Sequence, residues 1–171
     1  MSRAGTIDGP RFAKAREAVS GALAIRDLSR LAEMGAAAAT LRYSVRGGDD
    51  ADGRAALTVE ASGTVQVVCQ RCLGALELPV AVTSVLELAD SAAEIDAADD
   101  ERDRVLASRS MDVAGLVEDE VILALPMIPV HAGCETALAR EAEDRRSPFA
   151  ALAGLQESGA GPRGRHRKPN T

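Results

Sequence analysis

The residues of this chain best suited to chemistry lie in two short segments, Cys69-Gln-Arg-Cys72 and His131-Ala-Gly-Cys134. Each places two ligand-type side chains three positions apart, the spacing of a metal knuckle. Zinc takes four tetrahedral nitrogen or sulfur ligands, and a Cys-x-x-Cys at a hairpin tip supplies two while backbone amides face the sulfurs. Gly74 lies two residues past Cys72, where a tight turn gains from a residue without Cβ. His131 and Cys134 would complete a three-cysteine, one-histidine site. The other reading is reduced structural or vestigial thiols, which a pattern short of two complete Cys-x-x-Cys pairs favours.

A thioredoxin-like redox pair would need its first cysteine at a helix N-terminus, and the run after Cys72 alternates like a strand instead. His131 could act as a base toward Cys134, yet no orienting partner or oxyanion hole accompanies it. Phosphate-loop, dinucleotide-glycine and Gly-x-Ser-x-Gly motifs are absent. No catalytic residue is assigned, and the chain reads as a non-enzyme.

The elements that must position these side chains follow from periodicity. Leu41, Tyr43 and Val45 alternate with polar neighbours and predict a strand ending at Gly47-Gly48-Asp49-Asp50. Leu57, Val59 and Ala61 predict a second strand, which Ser62-Gly63 turns into a third carrying Val65, Val67 and Cys69 on one face. Beyond the Cys-x-x-Cys turn, Leu76, Leu78, Val80, Val82, Leu86 and Leu88 line a long fourth run, with an edge or bend at Pro79. A helix is predicted over residues 10–20 with Pro10 in its first turn, and another from an Asp27 cap to Met34, closed by Gly35.

Met111-Asp112 opens the most regular helix, with Val113, Leu116, Val117, Val121 and Leu125 at helical spacing and Pro126 as its stop. Glu118 and Asp119 fall on its polar face. Glu120 falls in the apolar stripe, where snorkelling at the edge is favoured over a buried carboxylate with a specific partner. Residues 90–104 hold seven acidic residues and two arginines and predict a solvated, mobile loop. A surface helix is expected over 135–146 and a short capped helix over 147–155. The expected architecture is α+β: an antiparallel β-sheet or partly open barrel flanked by N-terminal and C-terminal helices. One domain would span residues 1–156, with a disordered basic tail over 157–171.

Bulk composition narrows the function. The 171 residues carry a net charge of −6 and only three aromatics, Phe12, Tyr43 and Phe149. An acidic, aromatic-poor surface neither attracts phosphate nor stacks bases. Cations are 18 arginines against 2 lysines, a bias that tracks codon usage and does not by itself point to RNA binding. No run approaches the ~20 apolar residues of a membrane span. With no export signal and an odd cysteine count, the expectation is a cytoplasmic protein without membrane association.

These segments resemble the YceD family, the large ribosomal RNA subunit accumulation proteins of bacteria and plastids. The resemblance rests on Cys69-Gln-Arg-Cys-Leu73, on Val117-Glu-Asp-Glu-Val-Ile-Leu-Ala-Leu-Pro126, on Pro129-Val-His131 with Cys134 after it, and on Ser147-Pro-Phe-Ala-Ala-Leu152. It implies a non-catalytic role in synthesis, processing or stability of 23S ribosomal RNA during large-subunit biogenesis. Some relatives carry further cysteines past the helix stop, whereas the last here is Cys134. Zinc is the one cofactor the residues would suit, and no small-molecule substrate is evident. Charge favours a basic ribosomal large-subunit protein or assembly factor as partner, met by Glu118, Asp119 and Glu120 and by the loop 90–104. The alternative is direct contact with 23S rRNA through Arg163, Arg165, Arg167 and Lys168 in the tail. A zinc- or thiol-dependent RNA-processing enzyme ranks last.

Overall fold

A computed structural model gives the structure of this chain and describes residues 5–134. Two compact units divide the chain, Met1–Ala132 and Gly133–Thr171, and only Gly133 and Cys134 of the second are among the described residues. The helices expected over 135–155, the domain end at 156 and the basic tail lie outside that range.

The first unit is built on a five-stranded sheet whose strands neighbour one another in chain order. Strands β2 (Ala18–Ala24), β3 (Ala38–Asp49), β4 (Ala55–Val68) and β5 (Ala75–Ala89) form an antiparallel meander, and the short β6 (Arg104–Leu106) adds in parallel beside residues 87–89. The sheet stays open. A two-stranded pair, β1 (Thr6–Ile7) with β7 (Met111–Asp112), ties the N-terminal segment to the start of the last helix. Helices α1 (Gly9–Ala15), α2 (Ser29–Glu33) and α4 (Val113–Ala124) supply the second layer, and α3 (Ala92–Asp96) lies in the loop after β5. No helix among the described residues is long and apolar enough to cross a membrane.

Period-two alternation decides which sheet face is buried. Leu23, Leu41, Gly63 and Val80 align across four strands, as do Gly21, Tyr43, Ala61 and Val82. The side chains of these rows, other than at the glycines, face Phe12, Leu31, Leu116, Val117 and Val121 of the helices in one core. Each fully buried Val or Leu there contributes about 1.5–3 kcal/mol. The neighbouring rows of Arg42, Ser44 and Arg46 face outward, as the sequence predicted.

Several sequence-based expectations change. The helix expected over 10–20 ends at Ala15, Arg16 takes a left-handed cap at φ 52°, and Ala18–Ala24 is a strand. Its Ala, Ser and Gly residues carry little intrinsic β preference, so pairing with β3 decides its state. Ser62-Gly63 is no turn: β4 runs straight through, Ser62 pairing with Arg42 and Ala81. Gly63 is needed because a Cβ there would run into the Thr40 carbonyl. Pro79 sits where β5 has no partner beyond β4, since β6 reaches only residues 87–89, so the expected edge is found. Asp27 does not cap α2 forward; its carboxylate accepts from the Ala24 amide behind it.

Candidate metal centre

At the end of the β4–β5 hairpin the chain turns sharply. Cys69 N–H donates to the Gly74 carbonyl at 2.9 Å, and Leu73 N–H donates to the Cys69 carbonyl at 3.0 Å. The left-handed position of this turn is Leu73, at φ 60°, and not Gly74, whose backbone is ordinary. A leucine held there costs on the order of 1 kcal/mol, strain that the surrounding turn must sustain.

Cys69 is fully buried, and the amides of Cys72, Arg71 and His131 converge on its sulfur. Those N–H groups, that of Cys72 foremost, bring its pKa down to about 5 against the opposing effect of burial. The segment after α4 returns to this turn: Gln70 N–H donates to the Pro129 carbonyl at 2.8 Å. His131 then places Nε2 2.9 Å from the Ala75 carbonyl and Nδ1 3.5 Å from Cys72 Sγ. A carbonyl can only accept, so Nε2 carries a proton and Nδ1 turns its lone pair to the sulfurs in the neutral ring. The Ala75 carbonyl and the two cysteines raise the His131 pKa above its ordinary value.

The ligand atoms of Cys69, Cys72, His131 and Cys134 all lie within 4.8 Å of one another. A tetrahedron of metal–sulfur bonds of about 2.3 Å has edges of roughly 3.8 Å, so a modest contraction makes this a coordination shell. None of the three cysteines forms a disulfide. The donor set, three sulfurs and one imidazole, suits a soft or borderline divalent ion and not a hard one. The structure thus brings together all four residues that sequence spacing singled out, in a cluster that could hold a metal.

The acidic helix motif behaves differently from its sequence reading. Asp112 caps α4 as expected, accepting from Ala114 and Gly115. Glu118, expected on the polar face, is buried: it accepts from the Leu31 amide at 2.9 Å and from Arg30 Nε at 3.2 Å. The Leu31 amide is one of the unsatisfied donors at the start of α2, whose own cap residue, Leu28, provides no side-chain bond. Glu118 therefore caps a neighbouring helix across the interface. Glu120 is buried as well, and only Asp119 stays at the surface, paired with Arg30. Of the three residues expected to meet a partner, two are turned inward.

The loop 90–104 also holds more order than its composition suggested. Glu87 is buried against Arg54 Nε at 2.6 Å and Arg104 Nη2 at 3.4 Å, and Arg104 holds Asp100 through two contacts of 2.5 and 2.8 Å. Neither Glu87 oxygen has a well-aligned hydrogen bond, and ionic contact with Arg54 and Arg104 holds the carboxylate. Sequence reasoning missed this cluster because its members come from three separate segments, 50–54, 87 and 100–104.

The family model described as large ribosomal RNA subunit accumulation protein YceD matches residues 57–156. The chain belongs to the YceD family. It is 31% identical over 173 residues to the large ribosomal RNA subunit accumulation protein YceD of Haemophilus influenzae, covering 89% of this chain and 95% of that relative. No solved structure matches the chain. The stretch matched by the family model contains all four candidate ligands and Glu118, whereas β2 and β3 precede it.

Proposed function

We propose that the chain is a non-catalytic factor supporting synthesis, processing or stability of 23S ribosomal RNA, acting by binding a basic ribosomal or assembly protein. Zinc at Cys69, Cys72, His131 and Cys134 is its structural cofactor. The Haemophilus influenzae relative is named for accumulation of large-subunit ribosomal RNA, and common family membership carries that role over.

The observation behind a protein partner is charge. Residues 1–134 hold 21 acidic against 13 basic residues, a net charge of −8. Such a body repels a phosphate backbone and draws in cationic polypeptide, speeding encounter more than tightening the complex. Within 90–104, Glu94 and Asp100 are engaged by Arg54 and Arg104, but Asp96, Asp99, Glu101 and Asp103 are exposed. Four protein ligands would close the zinc shell, leaving no position for an activated water, as in structural rather than catalytic sites.

Affinity recovery from growing cells with and without RNase tests the reading. A basic large-subunit protein or assembly factor is expected to survive RNase, and to be lost when Asp96, Asp99, Glu101 and Asp103 are changed together to Lys. Recovery that RNase abolishes would overturn it in favour of RNA contact through Arg163, Arg165, Arg167 and Lys168.

A further inference from the structure

Three of the four ligands, Cys69, Cys72 and His131, sit on two pieces of chain that the core does not join. One is the turn 69–74 at the hairpin end, and the other is the strap Pro126–Ala132 leaving α4. Beside the ligand cluster itself, backbone and imidazole hydrogen bonds link the strap to the hairpin. Gln70 N–H meets the Pro129 carbonyl, His131 Nε2 meets the Ala75 carbonyl, and His131 N–H faces the Cys69 sulfur. Apolar packing does not fasten its middle: Met127 is 100% exposed and Ile128 70%. Yet the strap, through Pro126, Met127 and Pro129, forms one wall of a cavity of about 490 Å³. Leu31, Met34, Val67, Leu78 and Ile122 line its other walls.

The core is independent of this site. It runs from Phe12 to Val121 and includes none of the four ligands and no residue of the strap. In small metal-folded domains the metal supplies the folding energy because no such core exists. Here a sheet and three helices bury their own apolar faces against one another.

We propose that the metal is a clasp and not a folding nucleus. It pins the strap to the hairpin and closes the apolar cavity, while the sheet and α4 keep their fold without it. The inference rests on the metal reading above. His131 takes part through Nδ1, with the Ala75 carbonyl holding the ring in that orientation, and three amides hold the Cys69 sulfur in place. Without the ion, no common centre ties His131 to Cys69 and Cys72, and the exposed Met127 and Ile128 add no packing to hold the strap.

The experiment is amide hydrogen exchange on the full, untagged chain, zinc-loaded and then stripped by a chelator under reducing conditions, with zinc measured in each sample. The amides of Gln70, Arg71, Cys72 and His131 report on the clasp. Stripping is expected to speed their exchange on the order of tenfold or more, with amides of β3 and of residues 117–121 changing less than about twofold. His131→Ala in the presence of zinc should reproduce that pattern. If core amides accelerate as much as the strap, the metal is a folding nucleus and the clasp is wrong. If one zinc per chain is bound and its removal leaves the strap unchanged, the clasp is wrong while the metal reading stands. A chain that retains no zinc defeats both.

Discussion

At the Ala75 end of β5 the polar groups are thiols and an imidazole, held in place by backbone amides and a carbonyl. At the Glu87 end they are guanidinium and carboxylate groups, held by one another. The two clusters are separated by roughly 40 Å of strand. The first is made by fixed geometry: a turn with a left-handed residue, amides aimed at one sulfur, a carbonyl aimed at one ring nitrogen. The second is made by Coulomb attraction among flexible side chains, with the buried carboxylate lacking an aligned hydrogen bond. A preorganised soft site can bind an ion from outside, whereas a self-neutralised one has satisfied itself.

That difference is tested most severely by metal content. Elemental analysis of the untagged protein is expected to give one zinc per chain. Cys69→Ser should reduce it to near zero, because the buried sulfur that three amides converge on is lost. The same measurement on Glu87→Ala should still give one. If Cys69→Ser retained its zinc, the preorganised end of β5 would not be a metal site at all.

The ion-pair end should answer in stability instead. Glu87→Ala leaves Arg54 and the nearly buried Arg104 beside an empty space, an expected loss of about 3 kcal/mol in chemical denaturation. Arg102, farther from Glu87 at 3.9 Å and half-exposed, should matter far less when changed to Ala. A Glu87→Ala protein as stable as the parent would reduce this cluster to surface decoration.

How legible each region was in the sequence follows from the same contrast. Cys69, Cys72, His131 and Cys134 announce themselves because few residue types bind soft metals and their short spacings survive in any fold. Asp112, Pro126 and the α4 stripe were legible because capping and 3.6-residue periodicity are local. The Glu87 cluster was not, since Asp50, Arg54, Glu87, Arg102 and Arg104 meet only after the sheet forms, and a charge run alone reads as solvated. Strand β2 escaped for a related reason: Ala18–Ala24 owes its conformation to pairing with β3 and not to its own side chains. Gly63 was read as a turn because a glycine needed for close strand approach looks the same in sequence as one needed for a bend.

Glu118 combines the two styles, a carboxylate positioned by charge that bonds a fixed backbone amide. Glu118→Ala removes the cap from the Leu31 amide and a partner from Arg30, an expected loss of about 2 kcal/mol. Glu118→Gln, which keeps one acceptor for the amide, should recover part of it. Equal losses in the two variants would mean that the ion pair, and not the cap, carries the stabilisation.

The smallest expected effect is one of pH, again at the ion-pair end. Contact with Arg104 lowers the Asp100 pKa to about 2 from its ordinary 3.8. A depressed carboxylate pKa adds stability that is complete above about pH 4 and is lost as pH falls toward 2. Carboxyl-carbon NMR should therefore place the Asp100 midpoint near 2, and Arg104→Ala should move it back toward 3.8. The pair is exposed on the Asp100 side, so salt should weaken the shift. A midpoint that is ordinary in the parent would mean that Arg104 does not hold Asp100 and that the loop is solvated and mobile after all.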